Sequence, residues 1–187
     1  PAFDGSIWGT VQGMPGALVR FVPGAHPPET ALSEYYEVPW KQPNATSQGF
    51  APRGMDVDSK NVVWTVLSSG QLASFDRSKC KSTKDAKADG QSCPEGWTIY
   101  RNTNEPTYAG SQYKASEAYL LHMDKPDTLG FGKDTPIYGS VNTDSLEVFQ
   151  PSTKQFISLR VPYPQSFFTR AGTPRIDDPN TGWKGKG

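Results

Sequence analysis

Three times along this chain a β-branched residue precedes an aromatic one. A little further on, a Gly or Asp stands two residues before a Leu and five before a Phe. The first copy is Ile7-Trp8-Gly9-Thr10-Val11 followed by Gly16-Ala17-Leu18-Val19-Arg20-Phe21. The second is Val63-Trp64-Thr65-Val66 followed by Gly70, Leu72 and Phe75, and the third is Ile137-Tyr138-Gly139-Ser140-Val141 followed by Asp144, Leu146 and Phe149. Each copy reads as two short strands around a turn. A fourth stretch, Arg175–Trp183, repeats the layout of Asp56–Trp64: an acidic pair, a turn and a tryptophan.

The repeat fixes the expected architecture. A sheet of this size cannot bury both of its faces alone, so successive sheets must cover one another. Aligned on the aromatic position, the copies fall at Trp8, Trp64, Tyr138 and Trp183, and the shortest interval, about 45 residues, is that of one four-stranded propeller blade. The fold class is therefore all-β, with about three β-propeller blades and the start of a fourth. The expected repeat core is Trp8, Leu18, Phe21, Trp64, Leu72, Phe75, Tyr138, Leu146, Phe149 and Trp183. Propellers close with about four to eight blades. Three explanations of the shortfall stand side by side: a longer polypeptide, a ring completed by self-association, or an open sandwich that imitates a propeller.

Residues 1–187 read as one partial propeller in which 77–135 is a loop-rich insertion between repeats. That insertion carries a short strand, Trp97–Tyr100, and one amphipathic helix over Tyr113–Met123. Outside it, strands are expected around Tyr35–Val38, Met55–Asp58 and Gln155–Val161. The 18 Gly and 17 Pro suit a protein made of turns between strands.

Composition narrows the function classes. Lys plus Arg and Asp plus Glu both number 19, so there is no electrostatic footprint for nucleic acid or an anionic membrane. No apolar run reaches the roughly 20 residues needed to span a bilayer. A chain that opens at Pro1 reads as a mature or truncated product. Cys80 and Cys93 flank the hydrophilic stretch KSTKDAKADGQS. A disulfide there would contribute about 2–4 kcal/mol and favour a periplasmic or secreted location; the alternative is two unlinked surface thiols. The spacing does not suit a zinc site.

The pattern Pro52-Arg53-Gly54, Asp58, Val63-Trp64-Thr65, Gly70-Gln71-Leu72, Phe75-Asp76 resembles the blades of streptogramin B lyase-like propellers, which are related to NHL-type propellers. DGSIWGTVQGMPGALVRF, RIDDPNTGWKGKG and the Cys loop resemble an exported bacterial branch of that superfamily. The resemblance implies a metal-assisted lyase chemistry among the family's characterised members: elimination that opens a cyclic depsipeptide, with a His and an acidic residue around magnesium. Those roles do not carry over by residue, because neither His26 nor His122 lies in a matching blade motif, and the catalytic residues stay unassigned. Both read as structural or solvated imidazoles, and His122-Met123 lacks the CxxCH context of a haem site. No GxSxG, GxGxxG or P-loop pattern occurs.

Asp56, Asp58, Asp177 and Asp178 precede recurrent turns. They suggest Asx caps first and calcium ligands only as an alternative, so the expected cofactor is none, with Mg or Ca as the alternative. Tyr35, Tyr36, Trp40, Trp97, Tyr100, Tyr108, Tyr113 and Tyr119 offer either anchors for a partner or packing for long loops. Three functions follow as expectations: an exported binding or assembly module, part of a metal-dependent lyase, or a self-associating structural protein. Their partners would be another protein, remaining blades of the same polypeptide, or further copies.

Overall fold

In a computed structural model, which describes residues 1–40, 49–83, 93–104, 118–140, 143–162 and 164–165, the repeats form strands as their β-branched and aromatic residues require. The strands are β1 (Ile7–Val11), β2 (Ala17–Val22), β3 (Leu32–Glu37), β4 (Pro52–Val57), β5 (Val63–Leu67), β6 (Leu72–Phe75), β7 (Trp97–Tyr100), β8 (Ala118–Asp124), β9 (Thr135–Ser140), β10 (Ser145–Gln150) and β11 (Gln155–Arg160). They make three antiparallel meanders in chain order: β1-β2-β3, β4-β5-β6-β7 and β8-β9-β10-β11. The architecture is all-β with blade-like sheets. Among the described residues the only helical turns are two short 3-10 pieces, Arg77–Lys79 and Pro94–Gly96.

The recurrent Gly or Asp has a conformational cause. Gly16, Gly70 and Asp144 all adopt positive φ, at 79°, 87° and 50°. That region suits Gly, and Asp tolerates it better than most residues. It turns the chain into β2, β6 and β10.

The middle sheet is covered on both sides, and every residue of β5 and β6 is buried. On one side Val57, Val63, Leu67, Phe75 and Trp97 meet Leu18 and Tyr36 of the first sheet, with Trp8 packed against them. Phe75 lies at the centre of this seam, its ring centroid 4.5 Å from that of Tyr36, 5.1 Å from Trp97 and 6.0 Å from Trp8. On the other side Trp64, Val66 and Leu72 meet Leu121, Met123, Tyr138 and Phe149 of the third sheet. Trp64 stacks on Tyr100 at 5.6 Å and reaches Phe149 at 5.7 Å.

Each seam also has a polar clasp. In the first, Arg77 donates to both oxygens of Glu34, at 2.7 Å and 2.5 Å, while Tyr36 donates its hydroxyl to Glu34 at 2.8 Å. Burial pushes the Glu34 carboxyl up, but the Arg77 and Tyr36 hydrogen bonds and the Arg77 and Arg20 charges outweigh it and hold the carboxyl below its ordinary range. Burial and the adjacent carboxylate push the Tyr36 hydroxyl up to about 12. In the second seam the buried Glu147 accepts from Asn102 at 2.8 Å, Ser145 at 2.7 Å and Ser158 at 2.6 Å.

Two expectations need correction. The region 77–135 does not stand apart as an insertion: β7 completes the second sheet and β8 begins the third. The expected helix over Tyr113–Met123 is a strand from Ala118 onward, and residues 113–117 lie outside the described set. β8 packs against β4 and β5 on one side and pairs with β9 in its own sheet, so apolar residues are wanted on more than one face and the alternation of a half-exposed strand is lost. A register irregularity between Ala118 and Leu121 breaks the period further.

Candidate functional site

The innermost strands of the second and third sheets run side by side in the same direction. The Arg53 guanidinium lies over the Tyr119 ring at 4.3 Å, and Asp56 accepts the Met123 amide at 3.1 Å. Between these pairs the backbones nearly touch. A Cβ on Gly54 would stand 2.4 Å from the Leu120 Cα, so only glycine permits this approach. Both strands carry a register irregularity at this point, between Pro52 and Met55 and between Ala118 and Leu121.

A groove of about 340 Å³ opens over this contact. It is lined by Gly9 and Thr10 of β1, by Gln12 just beyond it, by Arg53, Gly54 and Met55 of β4, and by Tyr119 and Leu120 of β8. Arg53 is the one charged residue among these. Its orientation is fixed by the Tyr119 ring and by the bond from its Nε to the Ser68 hydroxyl at 2.7 Å. The groove is thus lined by a guanidinium held in place, one hydroxyl, one amide side chain and the apolar Met55 and Leu120, the mixed make-up of a binding groove.

A second cleft, about 400 Å³, lies at the rim between the second and third sheets and includes Lys60, Trp64, Phe131, Lys133 and Asp134. Its loops are tied together by Asp134, which accepts from both the amide and the hydroxyl of Ser59.

The aspartates named from sequence behave differently from one another. Asp58 caps its turn: Oδ1 accepts the Lys60 and Val62 amides at 2.8 Å and 2.9 Å, and Oδ2 accepts Trp64 Nε1 at 3.0 Å. Asp56 instead bridges sheets, accepting the Met123 amide and pairing with Lys125 at 3.5 Å. Asp58 already serves three N–H donors and Asp56 serves amides and the Lys125 cation, so this donor set does not fit a bound Mg or Ca. Among the described residues no three His, Cys, Asp or Glu side chains cluster as metal ligands. His26 sits exposed in the β2–β3 connection, its amide donating to the Thr30 hydroxyl at 2.9 Å. His122 lies on β8 of the third sheet, so the two histidines belong to different sheets.

Cys80 and Cys93 are disulfide-bonded, with Cα atoms 5.2 Å apart. Trp8, on the first strand of its sheet, and Trp64, on the second strand of its sheet, each face the following sheet. Leu18 and Leu72 share that face, while Phe75 faces backward into the first seam. Phe21, the counterpart of Phe75, faces backward too. It is only half-buried there, beside the exposed Ile7.

Tyr138 departs from the pattern. It pairs with Glu147, and Leu146 falls opposite Gly139, one residue out of step with the pairing of Leu72 and Val66. That slip turns Tyr138 to the other face, so it packs back toward Trp64 rather than outward. Leu146 is half-buried on the outer face, and Phe149 is buried in the second seam.

Of the other aromatics, Tyr36 and Trp97 are core in the first seam, and Tyr100 packs against Trp64 and Phe149 in the second. Trp40 meets Phe50 edge-on at 5.2 Å, Tyr35 is half-buried on β3, and Tyr119 lines the groove. Tyr108, Tyr113, Asp177, Asp178 and Trp183 lie outside the described residues. The groove itself is not among the sequence expectations, which placed Pro52-Arg53-Gly54 only in the blade motif.

These features define a class: successive antiparallel meanders stacked face to face, with a groove along their inner edges. No protein-family model matches the chain, and no curated protein matches it.

Proposed function

We propose that this chain is an exported β-propeller-type binding or assembly module, kin to the streptogramin B lyase-like propellers, whose working surface is the groove over β4 and β8. The observation that carries this reading is the meeting of three sheets at one concave surface, where Arg53 is held rigid between Tyr119 and Ser68. The disulfide supports export, because such bonds persist in oxidising compartments.

The test is photo-crosslinking in the native compartment. A photoreactive residue at Gln12, in the groove, should capture a partner, and one at Lys154, on the distant β10–β11 turn, should not. Equal capture at both positions, or none at either, would contradict a groove-centred module. Metal-dependent elimination on a cyclic depsipeptide would replace it with the lyase reading.

A further inference from the structure

The rim cleft between the second and third sheets is built from two connections that the fold ties together. One is the β4–β5 turn, which carries Lys60, and the other is the β8–β9 loop, which carries Phe131 and Lys133. The loop is held at several points. Asp124 accepts the Thr128 and Leu129 amides at 2.9 Å and 3.0 Å, and Asp127 accepts the Gly132 amide at 2.8 Å. The Thr135 hydroxyl donates to the Gly132 carbonyl at 2.6 Å, and the Gln150 side-chain amide donates to the Phe131 carbonyl at 3.2 Å. Gly132 itself takes a φ of 110°, a conformation that suits glycine. Asp134 then ties the loop to Ser59 of the facing turn. The cleft is thus shaped by the chain's own bonds.

Its charges are divided unevenly. Asp58 and Asp134, the two carboxylates that line it, are turned onto N–H and O–H donors of the chain itself. Lys60 comes from the second sheet and Lys133 from the third, and both are exposed. Lys79 and Lys125 pair with Asp76 and Asp56, whereas among the described residues neither Lys60 nor Lys133 forms an ion pair. Phe131 and Pro151 add half-buried apolar surface to the same cleft.

From this geometry we infer that the rim cleft binds a small organic anion, its carboxylate or phosphate reached by Lys60 and Lys133 and its flat apolar body set against Phe131 and Pro151. An aromatic ring favours a flat neighbour, and an ammonium is a compact partner for either anionic group. The volume of about 400 Å³ is that of a small-molecule site. Among the described residues the cleft shares no lining residue with the groove over β4 and β8. The inference therefore goes beyond the groove-centred reading and does not depend on it.

The experiment titrates the full chain, isotopically labelled, with naphthyl phosphate, naphthoate, the neutral naphthylmethanol and inorganic phosphate, and follows amide chemical shifts. At least one naphthyl anion should move the amides of Lys60, Gly132 and Lys133, and the tighter of the two names the anionic group. It should bind about tenfold more tightly than the alcohol. Lys60→Gln and Lys133→Gln should each weaken the anion about two- to fivefold and leave the alcohol unchanged. Both side chains are exposed, so both variants should fold, which the unshifted amides of the first sheet will show. Raising salt from about 50 mM to about 500 mM should weaken the anion alone.

Equal affinity for the alcohol, or anion binding that survives unchanged in both glutamine variants, would overturn the assignment. Inorganic phosphate that binds as tightly as naphthyl phosphate would overturn the organic class. Shifts confined to Gly9, Gly54 and Leu120 would move the anion to the groove, and no shift with either naphthyl anion would remove the site altogether. The Gln12 crosslink reports on the other surface, so a failure here leaves the binding module standing.

Discussion

Replacing Gly54 by alanine should damage the molecule far more than one methyl group suggests. The new Cβ would stand 2.4 Å from both Cα and Cδ2 of Leu120 and 2.8 Å from the Tyr119 carbonyl oxygen. Ordinary carbon contacts lie at about 3.5–4.0 Å, so β4 and β8 would have to part by about 1 Å. The side chain of Leu120 can rotate away, but its Cα and the Tyr119 carbonyl cannot. Overpacking of this kind costs about 1–3 kcal/mol. Separation would also strain the Asp56–Met123 hydrogen bond and the Arg53–Tyr119 contact. We expect a loss of about 3 kcal/mol, equivalent to about 6–12 °C in Tm for a chain of this size. The control is Gly9→Ala, whose Cβ meets nothing within 4 Å and should change stability by less than about 0.5 kcal/mol. Urea unfolding followed by circular dichroism measures both. A Gly54→Ala variant as stable as Gly9→Ala would refute the close approach of the two strands.

Other consequences are open to the same assays. The Glu34 carboxyl is held below its ordinary range; its contribution is complete above the unfolded-state pKa and fades as pH falls through the lower folded value, so Glu34→Gln should flatten the acid limb of stability against pH. Reducing the Cys80–Cys93 bond, or replacing both cysteines by serine, should lower stability by about 2–4 kcal/mol in chemical denaturation; an unchanged midpoint would show that the loop is not constrained in the unfolded chain. Phe75→Ala, which empties the centre of the first seam, should cost about 3–5 kcal/mol, whereas a loss below about 1 kcal/mol would mean that Trp8, Tyr36 and Trp97 do not converge on this ring.

What was legible in the sequence is what local backbone chemistry dictates. Gly16, Gly70 and Asp144 announce positive φ, and the β-branched and aromatic runs beside them can hardly be anything but strands. Asp58 announced its turn for the same reason, since an Asx cap is set by residues close in the chain. The face that Tyr138 presents was not legible. It depends on which residue of β10 lies opposite, and a one-residue slip leaves the spacing of the motif unchanged. β8 was misread because an inner strand packed among three others has no reason to alternate. The groove was hidden for a further reason: it exists only where Gly54 lets two strands meet that lie more than sixty residues apart.

The central claim is that the repeats stack in chain order, with their inner strands aligned and their aromatics filling the seams. Nuclear Overhauser contacts in the isotopically labelled protein test it directly. The account predicts contacts between Gly54 Hα and Leu120 Hα, between the rings of Phe75 and Tyr36, and between those of Trp64 and Phe149. Intact sheets that show none of these contacts would contradict it.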